Sequence, residues 1–557
     1  MRRLTSLVIV AGLLAGCSSI PNSGPIVTGD RVDVVSNDVN VRVIARPPVA
    51  GMSPEAIVRG FIAACASIAD GDETARKYLT PGAAELWNPQ ALAAVYEAAA
   101  LTVTPDRNDT VKVSAPLLGT IDSDHRYRIA DPGTTLADSL HLTQVNGQWR
   151  IDRPPPALYL GEGDLARSYR SHALYFLNSS RDKLIPSYVM LPNGSGNLPT
   201  MLMRSLLAGP PSSAGAALVT DIPGSTGLAF GAVLGDFGLV GVPLTRAALS
   251  ASWAERNAML AQITWTLTGL PSISSVRVQV DGEPLQALNG GSVFSPADFI
   301  NLAPVHSDAS AQPLVFVNKS RVISLHNGTR TVIRTRLPVQ EASVSPDGSL
   351  VVYTTPSRSL LFSSRSGTPA VVFAGGDLAS PTILSSNQVW FLDRSTSGGL
   401  FTWRSGASAV KVKGGLPARS RILDYAIAPD QSRIALIVND GASTSLWLAQ
   451  ILQTADGARL LGVERAEQRL TSVVGVAWTS ESELAVLGAL GAVAVQALRI
   501  TLPTGSVTLL GGPANAVSIT AAIGRPLVVG DQSGQLWQLS GVKWEASDLG
   551  TAPNYVM

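Results

Sequence analysis

The chain has 557 residues, 42 Lys and Arg against 41 Asp and Glu, a net charge of +1, 45% hydrophobic and 15% charged residues. That length exceeds a single core and implies about three domains. The near-neutral balance offers no polyanion-binding surface, which excludes nucleic acid as an expected partner.

The N-terminus opens on Met1-Arg2-Arg3, followed by an apolar run from Leu7 to Leu14 that is too short to span a bilayer. It closes on Leu14-Ala15-Gly16-Cys17, which resembles the lipobox of bacterial lipoprotein signal peptides. The resemblance implies cleavage after Gly16, leaving Cys17 as an N-palmitoyl, S-diacylglycerol cysteine. An ordinary secretory signal with a chance cysteine is the alternative. With residues 1–16 a signal peptide, the remainder is expected outside the cytoplasm, held at the cell membrane by lipid. The other cysteine, Cys65, then has no disulfide partner. Residues 17–51 carry Pro21, Pro25, Pro47 and Pro48 and read as a tether. Within them Val32 to Ile44 alternates loosely enough for an edge strand.

Residues 52–165 form the first expected folded domain. Ser53-Pro54-Glu55 is a helix start: an N-cap, a proline at the first helical position and an acid at the positive dipole end. Ile57, Phe61 and Cys65 then recur every four residues, so Cys65 reads as a small core residue. Glu73 to Leu79, Thr80 to Trp87 and the Ala-rich Gln90 to Ala100 follow as further helical segments. Strands are expected at Thr110–Val113, Tyr127–Ala130, His141–Val145 and Trp149–Ile151, the last two joined by Asn146-Gly147 in a hairpin. This order resembles NTF2-like, cone-shaped α+β domains. Asp122, Asp124 and His125 are the local polar cluster, read as a solvated turn rather than a metal or acid–base site.

Residues 166–305 form the second. Ala173–Leu177 reads as a buried strand and Pro199 opens a helix that stops at Ala208-Gly209-Pro210-Pro211. A glycine-punctuated strand region spans Ala229 to Val242, and a longer helix runs from Ala251 to Thr268. Ser275–Val280 is a strand before the turn Asp281-Gly282. Trp253 and Trp265 lie on helical faces with aliphatic neighbours and read as core. Tyr175-Phe176-Leu177, Leu206 to Pro210, Ile222-Pro223-Gly224, Thr264 to Leu267 and Val276 to Gly282, in this order, resemble a GerMN domain.

Residues 306–557 change character to short β runs and Gly, Ser and Asn turns. A repeat starts at Ala342, Pro381, Tyr425, Val474 and Ala516, spaced by about 40 to 50 residues, the length of a four-stranded propeller blade. Pro313 to Thr335 reads as a blade lacking its first strand, as when the two chain ends complete one blade. About six blades are expected, with five or seven open and an open β-sandwich array the weaker alternative. Asp347 and Asp430 recur at equivalent turns and read as turn formers. Ala449–Arg469 and Arg394–Gly399 are longer inter-strand segments and candidate binding loops.

Chemistry is sparse. His125, His141, His172, His306 and His326 are scattered, and no nucleophile elbow, nucleotide loop or metal-ligand spacing occurs. A binding protein is expected rather than an enzyme, with no cofactor, no metal and no identified small-molecule substrate. A lipobox, a cone-shaped α+β domain, a GerMN domain and a propeller, with Leu206-Leu207-Ala208-Gly209-Pro210, Trp265 to Pro271 and Ser345 to Gly348, resemble the actinobacterial LpqB lipoprotein family. The resemblance implies association with the extracytoplasmic domain of a two-component sensor histidine kinase (MtrB) and an influence on envelope homeostasis and division. A cell-wall glycan-binding or glycan-processing lipoprotein is the alternative.

Overall fold

A computed structural model of the protein describes residues 45–67, 72–193, 197–287, 290–304, 312–364, 367–384, 387–441 and 443–556. The signal peptide, Cys17, the edge-strand segment and His306 lie outside the described residues.

The first domain starts where the capping chemistry places it. A helix spans Pro54–Cys65, with the Ser53 side chain accepting from the Ala56 N–H. Its Ile57, Phe61 and Cys65 pack on a curved sheet. The strands are β1 (Leu92–Tyr96), β2 (Thr102–Pro105), β3 (Thr110–Asp122), β4 (Tyr127–Ile129), β5 (Thr135–Val145), β6 (Gln148–Arg153) and β7 (Leu158–Gly161), in the order β6-β5-β3-β1-β7 with β2 and β4 also on β3. Asn146 and Gly147 both adopt positive φ in the β5–β6 turn, as a two-residue hairpin requires. One expectation is corrected: the Ala-rich Leu92–Tyr96 is a strand, not a helix, pairing antiparallel with β3 and parallel with β7. Small side chains let this strand lie beneath the helix layer, and that burial overrides alanine's helix propensity.

In the second domain β8 (Tyr169–Asn178) pairs along its length with β9 (Leu184–Pro192), a strand absent from the sequence reading, and with β10 (Leu218–Val219). A second sheet holds β11 (Val233–Leu234), β12 (Leu239–Leu244), β13 (Ser275–Val280) and β14 (Glu283–Pro284) in that order, with β12 and β13 parallel. Helices Leu198–Leu207 and Trp253–Thr268 share one apolar core with both sheets. The second helix begins with a capping box between Ser252 and Glu255. Trp253, expected in the core, is instead 55% exposed at the first helical turn, with the Arg256 guanidinium 4.8 Å from its ring. Trp265 is half-buried, edge-on to Tyr175 at 5.9 Å.

Among the described residues the third domain is a propeller of six sheets. Five blades begin at Ala342, Leu378, Arg421, Leu470 and Ala516. The remaining blade combines Leu314–Asn318, Arg321–His326 and Thr329–Ile333 with the C-terminal strand Thr551–Tyr555. That strand also contacts the first strands of the two neighbouring blades, so the ring closes through the chain ends. Each blade is apolar on both faces. Val351 and Tyr353 pack toward the preceding blade and Val352 toward the following one; Ile434 and Leu436 face backward while Ala435 and Ile437 face forward. A strand buried on both sides has nearly continuous apolar sequence, which explains Leu350-Val351-Val352-Tyr353.

One reading of the propeller loops changes and another holds. Ala449–Arg469 is mostly not loop: Thr444–Thr454 and Gly457–Arg465 are paired strands that pack on the 3-10 segment Ser212–Ala217 of the second domain. Asp347 does form its turn, its Oδ1 accepting from the Ser345 hydroxyl at 2.6 Å and the Ser349 N–H at 3.0 Å. Asp430 caps Ser432 in the same way but also holds Arg433 through Nε at 2.7 Å.

The domains are joined by specific hydrogen bonds. The Met190 N–H donates to the His125 carbonyl at 2.8 Å, Arg126 Nη2 to the Gly209 carbonyl at 2.7 Å, and Gln468 Nε2 to the Leu117 carbonyl at 2.8 Å. The Asp122–His125 turn is therefore a joint. Asp122 Oδ1 accepts from the N–H groups of Asp124 and Arg126, His125 sits at φ 62, and burial holds its imidazole below the ordinary histidine range against the pull of both aspartates.

Candidate functional site

The propeller channel is a concavity of about 810 Å³ lined by the first strands of the blades. First strands line it because blades radiate from a common axis, so whatever they carry on that edge converges. Three of these positions are polar and equivalent in the repeat: Glu341, Ser380 and Asp424 immediately precede Ala342, Pro381 and Tyr425. The corresponding positions in the next two blades are Val473 and Asn515.

The geometry at these positions is irregular. Pairing slips between Ala379 and Thr382 and between Ile422 and Asp424, and Ser380 adopts φ 51, unusual for a residue with a side chain. Bulges of this kind re-aim side chains. Here the Ser380 N–H donates to Glu341 Oε2 at 2.5 Å and its hydroxyl to Asp424 Oδ1 at 2.6 Å, while the Tyr425 hydroxyl donates to the Ser380 carbonyl at 2.7 Å. One serine thus bridges two carboxylates from the blades on either side of its own. Burial raises the pKa of Glu341, with the Ser380 N–H opposing and Asp424 adding to the rise. Burial likewise raises that of Asp424 against its bond from Ser380. Beside them Arg394 and Asp377 pair at 3.3 Å.

Such a pair accepts hydrogen bonds when ionised and donates one when protonated, so it can bind a polar head group. Among the described residues no group of three or more His, Cys, Asp or Glu side chains is placed to hold a metal ion. The sequence reading stopped one residue short of this site: it began each repeat at the first apolar position. The signal is a charged residue next to an inner strand in the first and third copies, with a serine at the same place in the copy between them.

A smaller cavity, about 140 Å³, lies where the three domains meet, lined by Tyr127, Tyr188, Pro211, Arg433, Glu464 and Trp478 among others. The Arg433 guanidinium stands 5.0 Å from the Trp478 ring and 6.0 Å from that of Tyr188. Of the other expected positions, His141 pairs with Asp152 at 2.7 Å in the first domain, His326 is exposed on the first blade, and neither meets the channel carboxylates.

Comparison with known proteins follows the same three-part division. Residues 47–166 match the N-terminal domain of lipoprotein LpqB, residues 173–286 the Germane domain of sporulation and spore germination, and residues 314–555 the LpqB β-propeller domain. The chain belongs to the LpqB lipoprotein family. The Lipoprotein LpqB of Cutibacterium acnes is 28% identical over 95% of this chain and 94% of its own length. Those of Thermobifida fusca and Streptomyces coelicolor are 26% and 28% identical, covering 99% and 98% of this chain and 98% and 96% of their own. As an LpqB-family lipoprotein the chain is a membrane-associated envelope protein. No helix among the described residues is long and apolar enough to cross a membrane.

Proposed function

We propose that this LpqB-family chain is a lipid-anchored binding protein on the extracytoplasmic face of the cell membrane. Its partner is the extracytoplasmic domain of a two-component sensor histidine kinase of the MtrB type, whose signalling it modulates, with effects on envelope homeostasis and division. The observation that carries this reading is the combination of family membership with three domains cross-bonded into one compact body. A body of that kind presents fixed surfaces, and an acyl anchor at Cys17 confines it to the plane of its membrane partner, raising their effective concentration. A diacylglycerol plus an N-acyl chain gives durable anchoring where one chain does not.

The test is crosslinked recovery of the lipidated protein from envelopes. Co-purification of a sensor kinase supports the reading; recovery of glycan alone, with no kinase, overturns it. Cys17→Ala should release the protein from membranes as an unprocessed or secreted form, and processing is measured in the same sample.

A second reading, a cell-wall glycan-binding or glycan-processing lipoprotein, draws support from one observation. Glu341 and Asp424 converge in a deep channel, as groups that hold sugar hydroxyls do.

A further inference from the structure

We infer that the propeller channel binds an organic cation whose head group donates several N–H hydrogen bonds, in particular a primary ammonium on an apolar stem. The inference shares with the glycan reading only the premise that the channel takes a ligand, and it is independent of the kinase reading.

Three acceptors face the demand for such a head group. Glu341 and Asp424 are each satisfied on one oxygen by Ser380. Gln312 lines the same cavity and is only 9% exposed, and its Oε1 has no hydrogen-bond partner among the described residues. A buried acceptor without a donor costs free energy that a ligand N–H recovers. The serine and tyrosine donors nearby are committed, the Ser380 N–H and hydroxyl to the carboxylates and the Tyr425 hydroxyl to the Ser380 carbonyl. Arg394 lies 3.3 Å from Asp377, its Nε makes no hydrogen bond among the described residues, and its charge partly offsets that of the two carboxylates. An ammonium carries three donors and no acceptor, which complements the three acceptors. The left-handed φ of Ser380, held between the two carboxylates, is the kind of backbone strain that concentrates at binding sites.

The rest of the channel selects for an apolar body. Val474 and Val517 are 40% and 41% exposed, and Ile519 and Val556 also line the wall. The volume, about 810 Å³, lies in the range of sites for small molecules or a single inserted side chain.

The experiment is calorimetric titration of the full-length lipoprotein in detergent with 1,5-diaminopentane, its bis-trimethylammonium analogue, a lysine-containing tripeptide and a neutral N-acetylated glycan fragment. Saturable binding of the diamine or of the lysine peptide is expected, and which of the two binds distinguishes a free amine from a protein side chain. The quaternary analogue, having no N–H, should bind at least about tenfold more weakly. Glu341→Gln and Asp424→Asn keep an acceptor for Ser380 and so preserve the fold, checked by unchanged circular dichroism; each should weaken binding by about tenfold or more. No saturable binding of either amine at about 1 mM, the weak end of specific association, overturns the inference. So does unchanged affinity in the double variant. Binding of the neutral glycan without the amines overturns it while leaving the glycan reading intact.

Discussion

The Tyr188 hydroxyl donates to the Glu481 carbonyl at 2.9 Å, linking the second domain to the fifth blade across 293 positions of sequence. Burial pushes the phenol up to about 12 although the Arg433 charge opposes it, so the hydroxyl stays a donor throughout the physiological range. Tyr188→Phe should cost about 1 kcal/mol, the usual net value of a buried hydrogen bond. Tyr188→Ala should cost several times more by also emptying the space beside Arg433. Chemical denaturation, together with limited proteolysis at the domain junction, checks the pair.

Arg433 and Asp430 form a buried ion pair, with side chains 7% and 1% exposed and a closest approach of 2.6 Å. Arg433→Ala leaves a buried carboxylate without its counter-charge and should destabilise the propeller by about 3–5 kcal/mol. The double change Asp430→Asn with Arg433→Met should cost clearly less than the sum of the single changes. A double-mutant cycle measures the coupling; strict additivity would remove the pair from the account.

Glu341 has its carboxyl pKa raised in the fold, chiefly by burial. The native state therefore holds this proton more tightly than the unfolded chain does. Ionising it costs stability as pH rises from the ordinary carboxylate range, about 4.3, through the raised folded value. Glu341→Gln removes that cost, so it should raise the apparent melting temperature by about 1–3 °C at pH 7 and change little near pH 4. Asp424→Asn should follow the same pattern.

Cys65 is wholly buried and its thiol is pushed up to about 12, mainly by desolvation with a contribution from Asp72. The thiolate is the reactive species, so a maleimide reagent at pH 8 should leave Cys65 unlabelled in the native protein and label it on unfolding. Native labelling at the unfolded rate would contradict its placement in the core.

Closure of the ring rests on Thr551–Tyr555 and on the close approach before it. A Cβ at Gly550 would fall 2.3 Å from the Phe316 ring. Gly550→Ala should therefore cost about 1–3 kcal/mol by overpacking. Deleting residues 551–557 should expose the edge of Leu314–Asn318 and produce aggregation, visible by light scattering.

Much of this architecture was legible from residue order. Ser53-Pro54-Glu55 marked the first helix, Asn146-Gly147 the hairpin, and the repeat at Ala342, Tyr425 and Val474 the propeller, because capping, turn chemistry and two-sided burial act through near neighbours in the chain. Leu92–Tyr96 departs from its local, helical alanine preference because pairing on both sides, with Thr110–Asp122 and Leu158–Gly161, holds it in the sheet. Trp253 was misread because a tryptophan at a helix start meets solvent or core according to how the whole helix is oriented. The span 449–469 does not read as strand locally because its two strands lengthen one blade to meet Ser212–Ala217, a surface that belongs to another domain.

The sequence by itself determined the three-part order, the helix starts, the turns and the blade period. Whether Cys17 carries lipid is likewise a question of local sequence, to be settled at that residue. Only the tertiary structure decided where function could reside. Glu341, Ser380 and Asp424 are separated by about forty residues each, and no local rule relates them. They meet because closing six blades around one axis brings the same repeat position of adjacent blades to a common wall, where burial and a shared serine turn scattered polar residues into a site.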